Sequence, residues 1–169
     1  SHPAMLDPAL LLRDCVAATT RRGGPGGQHR NKVETAVVLT HRPTGLTAQA
    51  AERRSQAENH RQALFRLRIE LALHHRTPLS SAELTHSPSV LWRSRCSGGR
   101  LSINPRHEDF PALLAEALDV LAAVEWDVSR AATLLNVTAT QLVKLLRLEP
   151  RALGKLNEQR AARGLGKLV

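Results

Sequence analysis

Between Arg21 and Lys32 the chain carries Gly23, Gly24, Pro25, Gly26 and Gly27 in unbroken succession. No helix or strand runs through five such residues, because glycine maximises backbone entropy and proline lacks an amide proton. The segment is therefore an exposed loop, and regular structure has to be built from the pieces on either side of it. Upstream, Leu10, Leu11, Leu12 and Val16 make a short apolar stretch. Downstream, Glu34 to Thr40 and Leu46 to Ala50 read as strands, and Arg42-Pro43-Thr44-Gly45 supplies the turn that joins them as a hairpin. Ser55 is placed to cap a helix from about Gln56 to His75, with Glu58 in the capping-box position.

In that helix Ala57, Leu64, Leu67 and Leu71 fall on one arc, while Arg54, Arg61, Arg68 and His75 recur every seventh residue as a separate stripe. The expectation is a helix that packs by one side and offers cations on the other. Residues 77–107 hold Pro78, Pro88, Pro105, Gly98, Gly99 and several serines, which reads as a linker with at most a short strand near Leu101 to Ile103. Beyond it, Leu114, Leu118 and Leu121 predict a helix over Phe110 to Val124. Residues 108–127 hold six acidic groups and no Lys or Arg, whereas from Lys144 onward seven basic residues face two acidic ones, the asymmetry of an interaction tail. The expected architecture is α+β: a small antiparallel sheet with a packed helix in 1–76, a linker in 77–107, and an all-α module with a basic C-terminal tail in 108–169.

Within that module, Asp127-Val128-Ser129-Arg130-Ala131-Ala132 and Leu134-Leu135-Asn136-Val137-Thr138, followed by Gln141-Leu142, resemble the helix-turn-helix of the Fis-like DNA-binding type. Ala131 and Ala132 allow close helix packing, Asn136 tolerates the turn, and Thr138 can cap the second helix, on which Gln141, Lys144 and Arg147 are the polar readers.

Composition narrows the partner. The 169 residues include 24 Lys plus Arg against 15 Asp plus Glu, a formal charge of +9 suited to a polyanion. Two Phe, two Trp and no Tyr leave too few rings for the stacking platforms of the common single-strand RNA readers. Cys15 and Cys96 stand alone, which suggests neither a zinc ribbon nor a disulfide framework, and no apolar run is long enough for a membrane span. A reducing cytoplasm is the expected compartment, and neither cofactor nor metal is expected. Ser1-His2 precedes the only methionine, Met5, and is read as a remnant or an incomplete N-terminus.

The chemistry concentrates in Gly24-Pro25-Gly26-Gly27-Gln28-His29-Arg30-Asn31-Lys32. It lacks the spacing and the strand-to-helix setting of a phosphate loop, and the eight histidines form no metal-binding motif. Gly26 and Gly27 let the backbone approach a ligand and present Gln28. A glutamine is no base, but its amide can orient a water and its backbone N–H can stabilise a developing oxyanion. Such a site suits hydrolysis of an already activated ester.

The run resembles the Gly-Gly-Gln domain of class I peptide chain release factors. The likeness continues through Asn31-Lys32, Ala36-Val37, Leu39-Thr40-His41, Pro43-Thr44-Gly45-Leu46 and Glu52-Arg53-Arg54-Ser55-Gln56 to Asn59, and covers about residues 19–75. It implies hydrolysis of the ester between nascent peptide and P-site tRNA in the ribosomal peptidyl-transferase centre. On that resemblance Gly26 and Gly27 shape the loop, and Gln28 stabilises the transition state and admits water. Gly24, Pro25, His29 and Asn31 organise the loop, and the ribosomal RNA supplies the rest of the site. The residues expected to touch RNA phosphates are Arg21, Arg22, Arg30, Lys32, Arg53, Arg54, Arg61 and Arg68, with Lys144, Arg147, Arg151, Lys155, Arg160, Arg163 and Lys167 in the tail. A methyltransferase acting on Gln28 is a further implied partner.

Arg22 and Gly23 stand where the family usually has Ser or Ala, and Arg30 where Val is common. Only 25 residues precede Gly26, and neither Pro-x-Thr nor Ser-Pro-Phe occurs. The expectation is therefore the compact, codon-independent branch that rescues stalled ribosomes, whose basic tails anchor in the empty mRNA channel. Two rivals are a non-catalytic ribosome quality-control binder and a helix-turn-helix transcription regulator.

Overall fold

The computed structural model describes residues 1–20 and 35–169. A 3-10 turn, Pro3–Met5, leads to helix α1, Pro8–Arg13, capped by the Asp7 carboxylate on the Ala9 amide at 2.8 Å. Strands β1 (Cys15–Thr20), β2 (Ala36–His41) and β3 (Thr47–Ala50) form an antiparallel sheet in that order. The β2–β3 turn is fixed by its sequence. Gly45 adopts φ 71°, its amide donates to the His41 carbonyl at 2.8 Å, and the Thr44 hydroxyl pairs with the His41 ring at 2.8 Å. Only glycine enters that backbone region without strain.

Val37, Leu39 and His41 alternate toward the buried face of β2, the period of two that a half-covered sheet requires. Helix α2, Gln56–His74, lies on that face with its Ser55 hydroxyl accepting from Glu58. Its residues Ala63, Leu67 and Leu71 are fully buried; Ala57, expected on the packed arc, is exposed. The other side of α2 meets α5, Phe110–Ala123, in which every residue from Phe110 to Leu121 is buried. A helix apolar nearly all round is a core helix, and each fully buried leucine in it contributes about 2 kcal/mol. Helices α6 (Val128–Leu134), α7 (Ala139–Arg147) and α8 (Pro150–Ala162) follow. Asn136 turns between α6 and α7 at φ 54°, and Thr138 caps α7 on the Gln141 amide, as the helix-turn-helix pattern predicts. The mixed α+β class is as expected.

First, one local expectation is corrected. Residues 77–107 hold α3 (Ser81–Thr85), α4 (Val90–Arg95) and a two-stranded hairpin, β4 (Cys96–Ser97) with β5 (Arg100–Leu101). Serine caps start both helices, with a full capping box between Ser80 and Glu83, and Trp92 of α4 is fully buried. The helices are too short for a periodic signal, and the prolines and serines around them imitate linker composition. Second, two carboxylates of the acidic stretch are buried. Glu116 is buried against the Ser89 amide and hydroxyl, both at 2.6 Å, and Asp119 is buried against Arg76 at 3.0 Å and the Thr77 amide at 3.2 Å. Burial raises both carboxyls above the ordinary range, Asp119 to about 6. Third, His2 is buried. Its Nδ1 accepts from the Ala4 amide at 3.0 Å, Nε2 donates to the His75 carbonyl at 3.1 Å, and the two rings meet edge to face at 5.2 Å. An accepting Nδ1 requires the neutral ring, and burial lowers its pKa to about 4. Among the described residues no helix is long and apolar enough to cross a membrane.

Candidate functional site

β1 ends at Thr20 and β2 begins at Ala36, and these two residues are partners in the antiparallel register. The glycine-rich run lies between them. Arg21, Arg22, Gly24, Pro25, Gly26, Gly27, Gln28, His29, Arg30, Asn31 and Lys32 all fall outside the described residues. The geometry on view is the root that the run leaves and rejoins.

That root is organised by Asn59, one turn into α2 and wholly buried. Its Nδ2 donates to the Thr35 carbonyl at 2.6 Å and to the Arg53 carbonyl at 3.0 Å, and its Oδ1 accepts from the Arg53 amide at 2.9 Å. One carboxamide thus satisfies three backbone groups where β2 and α2 come together. Sequence reading placed Asn59 in a motif but gave it no task. The available signal was an asparagine, a poor helix former, in the first turn of a helix already capped by Ser55. Nearby, Arg66 forks onto Glu52 at 2.7 and 3.2 Å and reaches the Gln49 carbonyl at 2.8 Å, joining α2 to the end of β3. Both partners are well exposed, so this pair adds under about 1 kcal/mol.

The cations expected on α2 separate. Arg53, Arg54 and Arg61 are exposed. Arg68 is not: it is 8% exposed, its Nε and Nη2 donate to the Ala4 carbonyl at 3.1 and 3.0 Å, and Nη1 donates to the Glu108 carbonyl at 2.7 Å. A residue so enclosed cannot meet an RNA phosphate, and its place on the seven-residue stripe is coincidental. The reason is geometric: the stripe drifts about 20° per heptad round the helix and passes under the N-terminal segment.

Five of the seven C-terminal cations are on helices, with Arg163 and Lys167 beyond them, and the expected tail is α8 plus a returning segment. Lys144 and Arg147 are exposed on α7, and Arg151, Lys155 and Arg160 lie on α8. Arg151 is tied into ion pairs with Glu70 at 2.6 Å and Glu149 at 2.8 Å, which hold its pKa up, so it links α8 to α2. After α8, Gly164 at φ 69° reverses the chain. The Asn157 side chain then clasps Leu168, accepting from its amide at 2.8 Å and donating to its carbonyl at 2.9 Å. Arg160 donates to the Gly166 carbonyl at 2.8 Å and Arg147 to that of Val169. Arg163 and Lys167 stay exposed. Among the described residues no group of three or more His, Cys, Asp or Glu could hold a metal ion.

Comparison with known proteins falls on the same region. A family model described as the RF-1 domain matches residues 10–101. Similar relatives include a peptide chain release factor 1 of Chlorobaculum tepidum, 39% identical over 106 residues, or 63% of this chain and 28% of that protein. Another, of Symbiobacterium thermophilum, is 40% identical over 106 residues, with the same shares of 63% and 28%. A chloroplastic peptide chain release factor, PrfB1 of Arabidopsis thaliana, is 56% identical over 58 residues, 34% of this chain and 13% of that protein. The chain thus spans less than a third of the length of each.

Proposed function

This chain belongs to the RF-1 domain family of class I peptide chain release factors, and from that premise we propose that it hydrolyses the peptidyl-tRNA ester on the ribosome. The observation that carries the reading is the Gly26-Gly27-Gln28 run set between two strand ends that pair with each other, Thr20 and Ala36, beside an asparagine-pinned root. The backbone N–H of Gln28 stabilises the oxygen on which charge develops, and its side chain admits and orients water. Gly26 and Gly27 permit the close approach; Gly24, Pro25, His29 and Asn31 organise the loop. Ribosomal RNA of the peptidyl-transferase centre completes the site, and Gln28 is the residue a methyltransferase would modify.

The finer reading is release without stop-codon recognition, from ribosomes stalled on a message, in the cytoplasm. Its support is the joining of this loop to a cationic helical module whose charge suits ribosomal RNA. The work divides accordingly: residues 1–76 carry hydrolysis, 77–107 connect, and 108–169 anchor. Of the cations, Arg21, Arg22, Arg30, Lys32, Arg53, Arg54 and Arg61 are assigned to RNA near the reacting ester.

The experiment is release of radiolabelled peptide from ribosomes stalled with peptidyl-tRNA and no stop codon. Release by the unaltered protein, lost in Gln28→Ala, is expected. No release with ribosome binding retained overturns catalysis in favour of a non-catalytic binder.

A further inference from the structure

Val128 at the start of α6, Ala139 and Val143 on α7, and Leu168 of the returning segment line a groove of about 420 Å3. Lys144, Arg147 and Arg160 line it too, and no acidic side chain among the described residues does. A second groove of about 400 Å3 adjoins it, sharing Val128, Ser129 and Arg160. This one brings in Arg130 and Arg163 beside Glu125 and Asp127, the Asp127 carboxylate being occupied by the Arg130 amide at 2.9 Å.

These cations differ in electrostatic state from the arginines that are held in ion pairs. Arg66, Arg76, Arg95 and Arg151 each sit on a carboxylate. Around the grooves, Arg160 donates only to a carbonyl oxygen and Arg163 only to Gln159, while Arg147 meets the main-chain oxygen of Val169. Lys144 and Arg130 have no side-chain partner among the described residues. A carbonyl leaves the guanidinium charge uncompensated and several of its five N–H donors unused. Lys144, Arg147 and Arg160 in the first concavity, joined by Arg130 and Arg163 in the second, outnumber the two carboxylates beside them and suit a repeating anion spaced along a backbone.

We infer that these grooves bind the sugar-phosphate backbone of double-stranded RNA. A helix-turn-helix that reads sequence sends the N-terminal residues of its second helix onto base edges. Here Ala139 and Thr140, at that end of α7, share their groove with Leu168 and Val169 of the returning segment, which stands where a base edge would have to enter. The cations remain reachable, so contacts fall on phosphates. Only one indole, Trp126, borders either groove, too little for the stacked rings that single strands require. The choice of RNA over DNA rests on the release-factor reading above.

The test is fluorescence anisotropy of the full chain with a labelled RNA duplex across a range of KCl concentrations. K144Q/R147Q is expected to weaken binding about tenfold and to reduce the log–log salt slope by about one to two. The charge-preserving K144R/R147K restores both, and R13Q/R106Q, an equal charge loss elsewhere, leaves both unchanged. Unchanged affinity and slope in a natively melting K144Q/R147Q overturn the site. Tighter binding of a DNA duplex with sequence preference, or of a single strand, overturns the choice of ligand. Duplex binding by the grooves does not involve the glycine-rich loop, so failure of the unaltered protein to release peptide, with duplex binding intact, overturns the hydrolase reading and leaves the groove standing.

Discussion

Asn59 and Thr35 are joined by a 2.6 Å hydrogen bond that fastens the first turn of α2 to the residue preceding β2. Removing it in Asn59→Ala strands the Thr35 carbonyl and both backbone groups of Arg53. The expected loss is about 2–3 kcal/mol, read as a lower urea midpoint. Peptide release at a temperature where the variant is still folded is expected to fall further than stability explains, since the root of the loop has lost its pin. Release at the unaltered rate by a folded variant would refute this.

Arg61 and Arg68, seven residues apart on α2, are expected to behave oppositely. Arg68→Gln leaves the carbonyls of Ala4 and Glu108 without their donor and costs about 3 kcal/mol. Arg61→Gln leaves the melting temperature unchanged and weakens ribosome binding in a pelleting assay. Equal thermal losses in the two variants would contradict the burial difference.

The buried Asp119 makes stability depend on pH in a direction opposite to that of most carboxylates. Its folded pKa of about 6 lies above the unfolded value of 3.8, so the native state takes up its proton first and stability rises as pH falls from about 6 to about 4. His2, lowered to about 4 from 6.5, acts the other way, since acid protonates the unfolded chain first. Relative to Asp119→Asn, the unaltered protein is expected to gain up to about 3 kcal/mol between pH 7 and pH 4. Denaturant titrations of both proteins at several pH values measure the difference; a constant offset would exclude the assignment.

Asn136 holds φ 54° between α6 and α7. Asn136→Gly is expected to be nearly neutral, whereas Asn136→Val forces a β-branched side chain into the left-handed region and costs about 1–2 kcal/mol. A thermal shift comparison decides, and equal melting temperatures would show that the turn relaxes.

Elements governed by neighbours in sequence were legible before the structure. The Pro43-Thr44-Gly45 turn, the Ser55 cap and the Asn136 turn each carry their cause within four residues. Long-range placement was not. Arg68 looks like a surface cation until Ala4 and Glu108 arrive from remote parts of the chain, and nothing near Glu116 and Asp119 in sequence points to Ser89 and Arg76 as the groups that cover them. The fold-back of Leu168 onto Asn157 left no pattern, because a single clasping carboxamide has no period. At the candidate site, the loop motif and most exposed cations were visible as residue types, while the roles of Asn59 and Arg130 depend on what they face.

Helix α2 is fastened near its start by Asn59 and, about 16 Å further along, to α8 by the pair of Glu70 with Arg151. A rod pinned at two points cannot slide, so the loop root and the cationic grooves keep a set stand-off. On the function proposed above, a partner engaging both would have to offer its ester and its backbone at that one separation, and the chain would act as a gauge of span.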